Sequence, residues 1–170
     1  MTAPTLTDDE LLTAFCETSL PSDAFHHEQH VRVAWLFVTR HGMPEALREF
    51  PTALKRFADA KGATTLYHTT ITWAYLLMIH ERQTRDPAGD WPTFAAANYD
   101  LLQWKPSVLD RLYAPGTLTN ELAKRVFVMP DAATSRQHAR RSVVSQCPEE
   151  DRGGAERCYE PTADGLNRGT

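Results

Sequence analysis

Leu66-Tyr-His-Thr-Thr-Ile-Thr-Trp-Ala-Tyr-Leu-Leu-Met-Ile-His80 is apolar almost all round. That marks it as a helix in the middle of a helical bundle, with His68, Thr72, Tyr75 and Ile79 along one side. It falls short of the roughly 18 to 20 apolar residues of a membrane span and carries His68 and several threonines. The neighbouring segments have the same period. Thr7-Asp-Asp-Glu10 has the form of a capping box, and Leu11, Leu12 and Phe15 follow at helical spacing, so a first helix is expected to about Ser19. Leu20-Pro21-Ser22 breaks it. A second helix is expected over 26–41, closed by Gly42. Pro44 suits the first turn of a third over 44–60, which Pro51 is expected to kink or split. The fourth helix spans 66–82, and shorter ones are expected over 91–98, 105–113 and 119–128. No alternating runs flank a hairpin turn and no strand-helix-strand pattern occurs. The fold class is therefore all-α, a compact helical bundle.

The periodic pattern stops near Pro130-Asp131, which sets a helical domain over 1–131 apart from a tail over 132–170. The tail has six basic and six acidic residues and Val143-Val144 as its one apolar pair, too little to offset backbone ordering, and it reads as disordered. The chain of 170 residues carries a net charge of −4. This balance gives no electrostatic case for nucleic acid or an anionic membrane as partner. The first ten residues lack a basic start and an apolar run, so no secretory signal is expected and the expected compartment is the cytoplasm. Three scattered cysteines, Cys16, Cys147 and Cys158, make neither a disulfide framework nor a thiolate zinc site.

Chemistry concentrates in histidines. In Phe25-His-His-Glu-Gln-His-Val-Arg-Val-Ala-Trp35, His27 and His30 fall on one helical arc facing the core, with His26 at its edge. Residues three or four apart on a helix lie about 5 to 6 Å apart at Cβ, so His27 and His30 can converge on one ligand. If the second and fourth helices pack closely, His68 joins them. Three imidazoles with an open fourth position would resemble a catalytic centre of zinc, iron or a similar divalent transition metal. Glu28, Tyr67 or Thr72 would then orient ligands or move protons. The same residues also suit a metal-free polar pocket or a purely structural role. Specific motifs are missing. His27-Glu28-Gln29-His30 is one residue too short for His-Glu-x-x-His, and no paired Glu-x-x-His, Gly-x-Ser-x-Gly, P-loop or Rossmann glycine pattern occurs.

Phe25-x-His27-x-x-His30-Val-Arg-x-Ala-Trp35, Tyr67-His68-x-Thr70-x-Thr72-Trp73 and Phe127-Val-x-Pro-Asp131 resemble segments of a group of uncharacterised small all-helical bacterial proteins. The resemblance covers about residues 12–131 and brings no activity with it. It implies weight on His27, His30 and His68 over His26, His41 and His80. The expected protein is a small helical bundle acting, with a metal at His27, His30 and His68, as an enzyme on a small organic molecule. The alternative is a non-catalytic helical module that binds a small ligand or a protein partner.

Overall fold

The computed structural model describes residues 6–132. Among them are seven α-helices, four short 3-10 turns and no strand: α1 (Asp8–Cys16), α2 (His27–His41), α3 (Met43–Ala60), α4 (Thr69–Arg85), α5 (Trp91–Ala97), α6 (Tyr99–Leu102) and α7 (Glu121–Arg125). The expected disordered tail lies outside the described residues, apart from Ala132.

Thr7 starts α1 as a true capping box: its hydroxyl accepts from the Glu10 N–H at 3.3 Å, and the Glu10 carboxylate accepts from the Thr7 N–H at 2.8 Å. The helix stops at Cys16, earlier than expected, because Thr18 turns into the left-handed region at φ +58° and Ser19 and Leu20 hydrogen-bond back to the Ala14 carbonyl. Gly42, at φ +77°, joins α2 directly to α3. α3 runs unbroken through Pro51, whose ring is buried, so the expected split does not occur.

The centre of the bundle is α2 rather than α4. Val31 and the unbroken run Val33-Ala-Trp-Leu-Phe-Val38 are buried, and the helix packs against α1, α3, α4 and α6. α4 buries one side and leaves Leu77 39% exposed. A run that is apolar all round has no solvent face, so it takes the middle position. Around it Phe15 of α1 is wholly buried, with the rings of Phe25 and Phe57 both at 5.2 Å and Phe50 at 6.1 Å. Burial of each such side chain is worth about 1.5 to 3 kcal/mol.

Polar ties fix the outer elements. Arg32, on the side of α2 that the helical projection turns away from the core, donates to Asp8 at 2.8 Å and to the Leu6 carbonyl at 3.0 Å, holding α1 to α2. Arg82 of α4 grips Asp100 of α6 through both its terminal nitrogens and keeps that carboxyl below its usual range. The chain after α6 then folds back over α4. Thr70 is wholly buried, and its hydroxyl faces the carbonyls of Ala123 at 2.7 Å and Val126 at 2.8 Å while accepting from the Val128 N–H at 3.1 Å. Asp131 closes this returning segment by accepting from the Ala114 N–H and the Thr117 hydroxyl, both at 2.7 Å. No described helix is long and apolar enough to cross a membrane.

Candidate ligand cavity and its histidines

Residues of α2, α3 and the start of α4 line an open cavity of about 490 Å³. That volume is in the range of small-molecule sites, about 300 to 1,000 Å³. Most of its wall is apolar: Phe25, Val31 and Ala34 on one side, Phe50, Leu54 and Phe57 of α3 on another. Ile71, Thr72 and Tyr75 supply the α4 wall, and Leu66 and Trp104, 78% and 52% exposed, stand at the rim.

The predicted site residues divide clearly. His27 and His30 line the cavity, as the helical projection places them, and so do His68, Tyr67 and Thr72. Glu28 does not. It is exposed, one step of about 100° around the helix from His27, and lies off the cavity wall, so it is not placed to serve as its base. His26 is the N-cap of α2, its backbone N–H donating to Gln29 at 3.2 Å.

The three imidazoles have different partners. His27 Nε2 lies 2.9 Å from the Leu101 carbonyl, which can only accept, so that nitrogen carries the proton. Its ring meets Tyr75 edge-on at 5.3 Å and Trp104 at 5.2 Å. Burial lowers its pKa, against the pull of the Leu101 hydrogen bond. His68 is not on α4, as its sequence pattern suggests, but caps it: Nδ1 accepts from the Ile71 N–H at 3.3 Å, and Nε2 donates to the Leu118 carbonyl at 2.8 Å. Both nitrogens are engaged. His30 is the opposite case. Its ring stacks on Phe25 at 3.9 Å, and neither nitrogen has a hydrogen-bond partner among the described residues. Burial first, then the nearby His27 and His26, push its pKa from 6.5 down to about 4. At neutral pH it is an uncharged imidazole with one donor and one acceptor opening onto an apolar cavity.

As arranged, the histidines do not make the expected ligand set. Among the described residues no three His, Cys, Asp or Glu side chains are grouped to hold one ion. A metal at His68 would have to displace either its cap to Ile71 or its bond to Leu118. The geometry predicts that His68→Ala lowers stability by about 1 to 2 kcal/mol through loss of the cap and the Leu118 bond. Metal content, measured by mass spectrometry on untagged protein, is expected to stay the same in that variant. Loss of a stoichiometric metal would restore the three-histidine centre.

Sequence reasoning missed the α3 wall. Ala46, Phe50, Ala53 and Phe57 are spaced as one helical face, which is the available signal, but Pro51 suggests a break in that face. It also missed Lys61 at the end of α3 and Trp104, which only the chain reversal after α6 brings to His27. Tyr67 stands beside Thr72, whose hydroxyl and that of Thr69 pull its pKa down against a larger upward push from burial. It is therefore a neutral hydroxyl at physiological pH.

Comparison of the chain with protein-family models, with curated proteins and with solved structures found no match.

Proposed function

We propose that this protein binds a small, mainly apolar molecule in the cavity between α2, α3 and the start of α4, with His30 as its principal polar contact. The observation that carries this reading is His30 itself. Its ring is half-buried, no side-chain or backbone group of the described residues hydrogen-bonds to it, and its nitrogens stay accessible from the cavity rather than sealed in the core. A ligand that hydrogen-bonds to the ring takes the place of water there, while the apolar wall buries its body.

The electrostatics favour binding over proton transfer. A general base works best with a pKa near the working pH, and an imidazole at about 4 is weakly basic at neutrality. Tyr67, with its pKa raised, is a hydrogen-bond donor rather than an acid. We therefore prefer the binding module to the metal-dependent enzyme. Tyr67 and Thr72 remain as polar contacts near the mouth of the α4 wall, and Glu28 has no part. The net charge of −4 argues against a nucleic-acid partner and is compatible with a cytoplasmic location.

A neutral, environment-sensitive probe tests the reading. N-phenylnaphthylamine is expected to bind the wild type with a saturable rise in fluorescence. Ala34→Phe, which extends a ring into the cavity, abolishes that signal. His30→Leu, which keeps the volume and removes the hydrogen bond, weakens binding about tenfold. Equal binding by all three folded proteins would place the probe elsewhere and remove support for the cavity.

A further inference from the structure

We infer that the ligand is an organic monoanion, an apolar body ending in a carboxylate, held with its charged end at Lys61. This deepens the binding reading above and rests on it. The cavity wall contains one ammonium and no Asp or Glu. Lys61 Nζ lies 5.4 Å from the centre of the Phe57 ring, at the end of α3 where the wall meets the rim. It has no carboxylate within ion-pairing distance among the described residues. Lys55 adds a second unpaired ammonium close by, 4.5 Å from the centre of the Tyr67 ring, which itself lines the cavity.

This local surplus stands against the charge of the chain, which carries 22 acidic and 18 basic side chains. Arg32 has Asp8, Arg82 has Asp100 and Lys124 has Glu121 as carboxylate partners, whereas Lys61 faces an aromatic ring on the wall of an apolar cavity. An ammonium stacked on an aromatic face beside an apolar cavity is partly desolvated, which strengthens its attraction for an anion. The single charge also sets valence. Burial lowers the pKa of His27 and His30, and His68 has both ring nitrogens engaged with the backbone, so Lys61 is the one ammonium on the wall, and a doubly charged phosphate would bring more charge than the wall can match. The rest of the wall, Phe25, Phe50, Phe57 and Leu54 among it, calls for an aliphatic or aromatic body.

Competition against N-phenylnaphthylamine in the full-length chain tests this. Two skeletons are compared with different ends: decanoate, decanol and decylammonium, and naphthoate with naphthol. The carboxylate of each set is expected to bind at least about tenfold more tightly than its alcohol, with decylammonium weakest. Lys61→Gln brings each carboxylate to within about twofold of its alcohol and leaves the alcohol unchanged. Equal affinities for acid and alcohol, while the neutral probe is still displaced, would overturn the monoanion and leave the cavity reading standing. Absence of binding by every compound and by the probe would overturn both.

Discussion

Taken from pH 7.5 to pH 5, the protein is expected to lose about 2 kcal/mol of folding stability through His30, the loss reaching about 3 kcal/mol by pH 4. Unfolded, this imidazole takes up a proton near pH 6.5; folded, it resists until about 4. Between those values the unfolded chain binds more protons, so stability falls as pH falls. The contribution is complete above the unfolded value and fully lost below the folded one. His27, also lowered by burial, adds in the same direction. Carboxylates act lower. Asp100 and Asp131 are held below their ordinary range by Arg82 and by the Ala114 N–H, so the stability they give is lost only as pH drops below about 4. The two windows separate the histidines from the acids. Urea unfolding of the wild type and His30→Leu at both pH values measures the difference. The variant should match the wild type near pH 7.5, since it exchanges a partnerless ring for an apolar group of similar size, and should lose far less on acidification. The same pH slope in both proteins would mean that His30 is not the half-buried neutral group described here.

The largest purely structural effect is expected at Thr70. One hydroxyl joins three backbone groups of the returning segment, those of Ala123, Val126 and Val128. Thr70→Val preserves shape and removes the hydroxyl, leaving the Val128 N–H and at least one carbonyl without a partner beside a wholly buried site. Two such groups at about 1 to 3 kcal/mol each give an expected loss of about 2 to 6 kcal/mol. Thr70→Ser keeps the hydroxyl and should recover most of it. The segment it anchors also carries the Leu118 carbonyl against His68, so His68 should become more accessible to diethyl pyrocarbonate in Thr70→Val than in Thr70→Ser. A loss below about 0.5 kcal/mol would show that the segment is held by other contacts.

The helical class was legible because it depends on local signals that survive folding. Thr7 with Glu10, and Gly42 after His41, are local chemistry, and both act where the pattern places them. The identity of the central helix was less legible. The segment 66–80 and the run 33–38 are both apolar on every side, and periodicity alone does not rank two such segments. Capping by His68 was hidden for a related reason. The apolar pattern extends back through Leu66, but a 3-10 turn at Thr64–Leu66 and extended backbone at Tyr67 and His68 delay the helix to Thr69. Imidazole is not among the preferred caps, so nothing at that position announces one.

At the candidate site, His27 and His30 were readable from three-residue spacing on a core-facing arc. The difference between them was not. His27 meets the carbonyl of Leu101, 74 residues along the chain, whereas His30 meets no polar partner; only tertiary packing distinguishes them. Glu28 was named for its nearness in sequence and lies off the wall because adjacent helical residues point about 100° apart. Lys61 and Trp104 belong to a helix end and a chain reversal, where position depends on long-range contacts.

The central claim, a cavity that takes a small molecule through an uncharged His30, is tested most directly by imidazole nitrogen NMR. The histidine rings are labelled with nitrogen-15 and the spectrum is followed through a titration with N-phenylnaphthylamine at neutral pH. The account predicts neutral-form His30 resonances that shift and saturate with the probe, while those of exposed His41 and His80 stay in place. Saturable binding that leaves His30 unmoved, or a His30 ring already protonated at neutral pH, would contradict it.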